Sequence, residues 1–228
     1  MTQPFPAHGH AASDPAPRMY QSAKGLAVAA SVLAGLGALI EVVDVPLAWF
    51  AAEQLEDAAA RGTTPDQVVT PFDVMGLPTL GLFVAAWVVT SLWLSRARVN
   101  AEALNPGRRH KRSAGWAWFG WLVPVVSYWF PYQYVRDVRL ATVAGERRRS
   151  TVVGWWWGTW LVSQHIGWIG GWIVMPAGSD TFRFGLLAPV EAAAAVVAVA
   201  ALVCWLRIVR QITEDQAAVA RGRPTTTV

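Results

Sequence analysis

Apolar residues in this chain fall in long unbroken runs rather than in amphipathic stripes. Four runs, residues 25–50, 74–95, 152–175 and 185–207, are each long enough as a helix to cross a hydrocarbon core. Such a core is about 30 Å thick and takes about 20 residues. A fifth run, residues 115–134, reads GWAWFGWLVPVVSYWFPYQY and has similar length. The polar breaks between runs differ in sign. The break at 51–73 carries Glu53, Glu56, Asp57, Asp66 and Asp73 against Arg61 alone. Upstream of the fifth run stand Arg96, Arg98, Arg108, Arg109, Lys111 and Arg112, with Glu102 as the one acid. Downstream stand Arg136, Arg139, Arg147, Arg148 and Arg149, against Asp137 and Glu146.

Basic loops stay on the cytoplasmic side of a membrane. If residues 115–134 crossed, the downstream basic block and the arginines of the C-terminal segment would lie outside. If they do not cross, every basic break is inside and the acidic one is outside. Pro124 and Pro131 favour the second arrangement, since each removes a backbone hydrogen bond and clashes with the preceding turn. The pattern therefore predicts an all-α polytopic membrane bundle of four transmembrane helices. A Pro/Trp-rich element at 115–134 is re-entrant from the cytoplasmic face or lies in the interface. Lipid does not tolerate exposed non-helical backbone, so a re-entrant bend must pack against the other helices.

Around this core, residues 1–23 read as a disordered cytoplasmic tail rich in Pro, Ala and His, and residues 24–210 as the membrane domain. The second helix continues past the bilayer until Asn105-Pro106-Gly107 stops it. Residues 132–144 predict a surface helix with Val135, Val138 and Thr142 on one face and Arg136 and Arg139 on the other. Residues 211–228 read as a cytoplasmic tail, frayed helix and then coil.

Composition agrees with the membrane class: 54% of residues are apolar, 15% are charged, and 14 are Trp. Trp favours the water–lipid boundary, where its ring is buried and its N–H stays wet. The net charge of +4 does not point to nucleic acid, because 17 of the 19 Lys and Arg residues fall in segments placed in the cytoplasm. The single cysteine, Cys204, excludes an internal disulfide and a cysteine metal centre.

The stretch NAEALNPGRRHKRSAGWAWFGWLVPVVSYWFPYQYVRDVRLAT carries a recurrent arrangement: Arg96, Asn100-Ala101, Gly115-Trp116, Trp121, Pro124, Pro131-Tyr132 and Asp137-Val138. In these positions the chain resembles the membrane family known as domain of unknown function 4328, in its actinobacterial type. The resemblance implies a multi-span helical membrane protein and brings with it no activity, substrate or catalytic residue.

Ionisable residues inside membrane helices are costly and mark functional or paired positions. Four are candidates here: Glu41, Asp44, His165 and Glu191. At 1.5 Å per residue, Glu41 lies about 24 Å from the start of its run, His165 about 20 Å, and Glu191 about 10 Å from the outer end of its own, so all fall in the outer half. A His with carboxylates suits a cation or a proton relay. The same residues could instead form a hydrogen-bonded network that pins helix packing. Convergence of Glu41, His165 and Glu191 on one cavity would favour transport. Small residues at Ser31/Gly35, Gly154/Gly158 and Gly167/Gly171 read as close packing within the bundle rather than between copies. Arg108, Arg109, Lys111 and Arg112, with Arg147, Arg148 and Arg149, are candidates for anionic lipid headgroups.

No catalytic motif, phosphate loop, cofactor motif or metal-ligand spacing appears. The expectation is an integral plasma-membrane protein, non-enzymatic, acting through lipids or protein partners and without nucleic acid. A small transporter and an intramembrane enzyme are the alternatives.

Overall fold

A computed structural model of the chain describes residues 19–108, 110–142, 151–174 and 182–222. Arg109, Arg147, Arg148 and Arg149 lie outside the described residues. The helices are α1 (Lys24–Ala60), α2 (Pro71–Val74), α3 (Gly76–Leu104), α4 (Trp116–Phe119), α5 (Phe130–Thr142), α6 (Thr151–Val174) and α7 (Leu187–Ala220). No strand occurs among the described residues. The class is all-α.

Three helical segments are long and apolar enough to cross a membrane: Lys24–Ala60, Pro71–Leu104 and Phe184–Ala220. The protein has the character of a membrane protein on this ground. Along α1, Val28, Val32, Leu36, Leu39 and Val43 stand exposed at helical spacing, an apolar stripe that water would not tolerate cheaply.

Helix α7 packs along both α6 and α1, and α3 packs mainly on α1. The bundle has two distinguishable ends. The start of α1 and the last turns of α3 and α7 lie at one end, the proximal end, joined through Gln21, Asn100 and Gln216; Ala60, Gly76, Val174 and Leu187 lie toward the distal end. The main core is proximal and aromatic, built on Trp93, Trp156, Trp157 and Trp205 with Val135, Val138, Ile208 and Ile212. The distal end holds a small cluster of Ala52, Val174 and Phe184. Edge-on indole contacts interlock the core: the Trp93 and Trp205 rings lie 5.5 Å apart at 79°, and those of Trp121 and Trp157 6.2 Å apart at 68°.

Residues 115–134 form no continuous helix. Four residues of α4 give way to turns, a 3-10 turn follows at Val126–Tyr128, and α5 begins at Phe130. Val125 sits at φ 66, the one non-glycine residue with positive φ among those described. A β-branched residue there is strained. The two prolines act differently. Pro124 immediately precedes the strained residue, whereas Pro131 lies in the first turn of α5, where its missing N–H breaks no bond.

Two boundaries extend beyond expectation. Helix α1 runs ten residues past residue 50, carrying Glu53, Glu56 and Asp57 on helix, because the Ala-rich sequence there favours it. Residues 211–220 are packed helix rather than a frayed end, with Ile212 and Gln216 each 1% exposed. The small-residue spacing also misplaced the close contact. A Cβ at Gly35, Gly154, Gly158, Gly167 or Gly171 meets nothing within 4 Å, while one at Gly170 would fall 2.1 Å from Val190 Cγ1. Gly170 is where α6 and α7 touch.

Candidate functional site

A cavity of about 290 Å³ opens between α3 and α6, the two long helices that barely touch. All four long helices line it. Its walls are aromatic, from Phe83 and Trp87 of α3, Trp156 and Trp160 of α6 and Trp205 of α7. Trp121, from the turns after α4, lines it as well. Polar groups are few: Glu41 of α1, Thr79 and Thr90 of α3, and Ser163 and Gln164 of α6. The arrangement is apolar with a single carboxylate.

Glu41 has acidic company. Asp44 lies one turn on, and Glu191 of α7 lies within electrostatic reach of both. Among the described residues none of the three side chains forms a hydrogen bond or ion pair, and Asp44 Oδ1 is buried without a partner. His165 is not part of this group. Its Nε2 lies 3.0 Å from the Tyr128 hydroxyl, and its Nδ1 lies 2.7 Å from the Leu161 carbonyl. Thus Asp44 and Glu191 lie within electrostatic reach of Glu41, His165 turns to the broken segment, and of the four only Glu41 lines the cavity. Among the described residues no three His, Cys, Asp or Glu side chains are placed to hold a metal.

The broken segment is held from both sides. The Trp87 indole of α3 donates to the Trp118 carbonyl at 3.1 Å, and the Trp157 indole of α6 donates to the Tyr128 carbonyl at 2.7 Å. The Trp121 indole donates to the Ala117 carbonyl at 3.1 Å. Gly120 permits the tight path here, since a Cβ would lie 2.6 Å from the Trp116 carbonyl oxygen. Trp116 packs edge-on against Phe130, ring centroids 4.4 Å apart.

At the proximal end a buried polar knot joins four segments. Asn100 of α3, 0% exposed, accepts from the Gln21 amide at 2.9 Å and donates to the Gln21 carbonyl at 2.7 Å. It also donates to Gln216 Oε1 of α7 at 3.3 Å. Gln216 in turn donates to the Ala97 carbonyl at 2.7 Å and to Thr142 Oγ1 of α5 at 3.1 Å. Arg96 donates to the Gln21 side chain, and Asn105 donates to the Ala141 carbonyl at 2.6 Å.

The basic residues beside the knot divide. Arg108 and Lys111 are exposed. Arg112 is engaged, donating to Gln133 Oε1 at 3.0 and 2.6 Å while its guanidinium lies 3.7 Å from the Phe130 ring centre. Arg98 pairs with Glu102 at 2.8 Å and donates to the Arg112 carbonyl at 2.5 Å. Burial, reinforced by the Arg98 charge, holds the His110 imidazole below its ordinary range, against the opposing pull of Glu102 and Asp137. Tyr132 lies beneath the Arg136 guanidinium at 5.4 Å, and Asp137 Oδ2 is buried without a hydrogen-bond partner among the described residues.

Residues 69–214 match the family described as Domain of unknown function (DUF4328). The chain belongs to the DUF4328 family. No curated protein and no solved structure matches it. The matched span begins after α1 and ends two residues before Gln216, so both partners of Asn100 in the knot lie outside it. The positions that carry the resemblance have these surroundings in this chain. Asn100 is the hub of the knot, Trp121 joins the aromatic core to the cavity, and Trp116, Pro124 and Pro131 shape the broken segment. Sequence reading placed Thr142 on the apolar face of its helix but missed Gln21, Gln133 and Gln216. Uncharged amides leave no trace in hydropathy or charge, and Gln216 sat in a stretch that read as a tail.

Proposed function

We propose that this DUF4328 protein is a four-span protein of the plasma membrane with both termini in the cytoplasm, non-enzymatic, acting through lipids or protein partners. The observation that carries the reading is the proximal knot. It gathers the start of α1, the end of α3, α5 and the end of α7 at one end, and with them Arg96, Arg98, Arg108, Lys111, Arg112, Arg136 and Arg139. The acids Glu53, Glu56, Asp57, Asp66 and Asp73 belong to the opposite end. By the charge rule the proximal end is cytoplasmic.

The fourth span is α6. Its 24 residues extend about 36 Å, enough to cross. Six Trp and five Gly lower its hydropathy, yet both types are accepted in membrane helices. Trp155 and Trp172 are 69% and 52% exposed and 17 residues apart, about 26 Å, the separation of two interfacial belts. The 115–134 element then enters and leaves on the cytoplasmic side, braced by Trp87 and Trp157. Arg108 and Lys111 are free to meet anionic headgroups, each at about 1 kcal/mol.

Cysteine accessibility tests the arrangement. In a Cys204→Ala background, single cysteines at Ser113 and Arg149 should react with an impermeant maleimide only when the cytoplasmic face is opened, and one at Arg61 from outside. Labelling of Arg149→Cys from outside would overturn the four-span reading. For the lipid contact, Arg108→Gln/Lys111→Gln should retain severalfold less phosphatidylglycerol per protein on purification, read by mass spectrometry of extracted lipid. A transporter is the second reading: the cavity between α3 and α6 with Glu41 on its wall speaks for it, and the absence of His165 and Glu191 from that wall speaks against it.

A further inference from the structure

Burying a carboxylate among apolar helices without a partner is expensive, and proteins keep such groups where they meet a cation. Glu41 is half-buried among such helices and opens onto the cavity. Its charged neighbours are Asp44 and Glu191, both acids, and it forms no hydrogen bond or ion pair among the described residues. The cavity it faces narrows the choice of cation. A divalent metal requires several oxygen or nitrogen ligands converging at bonding distance, and no such group occurs among the described residues. What converges instead is aromatic surface: Trp87, Trp121, Trp156 and Trp160, with Ser163 and Gln164 as the polar remainder. Indole faces attract large, weakly hydrated organic cations, quaternary ammonium above all, because the cation meets the negative ring face with little loss of hydration. A volume of about 290 Å³ suits a small aromatic or alkyl ammonium rather than a bare ion.

We infer that the cleft between α3 and α6 is a binding site for a lipophilic organic cation, with Glu41 as its counter-charge and the tryptophans as its walls. The inference rests on the reading of α1, α3, α6 and α7 as membrane spans, which places the cleft in a low-dielectric setting. Asp44 and Glu191 do not line the cavity. The site takes one positive charge joined to apolar bulk, and it discriminates against neutral molecules of the same shape.

The test is equilibrium binding of labelled phenyltrimethylammonium to the full chain in phosphatidylcholine nanodiscs. Tert-butylbenzene, its neutral isostere, serves as competitor. Saturable binding at one site per chain is expected, with the neutral isostere competing at least tenfold more weakly. Glu41→Gln should weaken binding at least tenfold, Glu41→Asp should recover part of it, and Glu191→Gln should stay within about threefold of wild type. Equal competition by the isostere overturns the proposal without any variant, so a misfolded Glu41→Gln cannot obscure the result. A Glu191→Gln loss larger than that of Glu41→Gln also overturns it, as does absence of saturable binding. The labelling at Arg149 is read separately. Outside labelling there with intact cation binding removes the topology and leaves the site; inside labelling without binding removes only the site.

Discussion

Single side chains decide how tightly this bundle closes. Asn100 makes three hydrogen bonds in a place water does not reach, one from the Gln21 amide, one to its carbonyl and one to Gln216. Asn100→Ala leaves those groups buried and unpaired, which costs about 1–3 kcal/mol. We expect a lower Tm in detergent, with Asn100→Asp intermediate because it keeps the acceptor for the Gln21 amide. At Gly170 the limit is steric. Gly170→Ala drives a methyl into Val190, at an overpacking cost of about 1–3 kcal/mol, whereas Gly171→Ala meets nothing and gains helix propensity. Opposite shifts in Tm for these adjacent alanines would check the assignment of the α6–α7 contact. The sequence marked Asn100 only through the family resemblance and did not reveal its partners. On α6 it pointed to Gly154, Gly158, Gly167 and Gly171 and passed over Gly170, since only helix rotation tells a packed glycine from a lipid-facing one.

At the scale of elements, the segment between α3 and α5 is the informative one. Its apolar length alone reads as a span, and its charged flanks together with Pro124 argue otherwise. The structure breaks it into α4, turns and a 3-10 turn. Strain at Val125 belongs to this break. A valine held at positive φ costs about 1–3 kcal/mol, and glycine removes that at an entropic cost of about 1. Val125→Gly should therefore raise Tm. Conversely, Trp87→Phe and Trp157→Phe each remove an indole donor while preserving much of the ring, and the double variant should speed maleimide labelling of a cysteine placed at Ser127. The flank of this element also carries a pH response. His110 is kept below its ordinary range chiefly by burial, so between about pH 6.5 and its lower folded value the unfolded chain binds more protons. The His110 contribution to stability is present above about pH 6.5 and falls away as pH drops below it. Thermal unfolding of His110→Gln should lose this part of the decline between pH 7 and 5 relative to wild type.

At the scale of the whole molecule, the sequence carried the element order well, because long apolar runs report helix length directly. It carried the candidate site less well. Depth along a helix placed Glu41, His165 and Glu191 in one layer, but which way each side chain turns is set by packing, and His165 turns to Tyr128 instead. The ends of the bundle were the least legible part, since polar, uncharged Gln21 and Gln216 look like tail residues until they are seen holding each other's neighbour. That closure has a consequence. The segment before α1 and the last two turns of α7 clasp the same Asn100, so the two extremes of the described chain stabilise one another across α3. A chain ending after Arg210 loses Ile212 and Gln216 together, leaving Asn100, Thr142 and the Ala97 carbonyl short of partners and opening the aromatic core beside Ile208. It should unfold well below wild type and lose monodispersity on size exclusion, while a chain ending after Ala220 should match wild type. Gln216→Ala separates the causes: it removes the knot and keeps the apolar face of α7, so its Tm should fall between the two truncations. A Gln216→Ala variant as stable as wild type would show that Ile212 packing, not the knot, closes the proximal end.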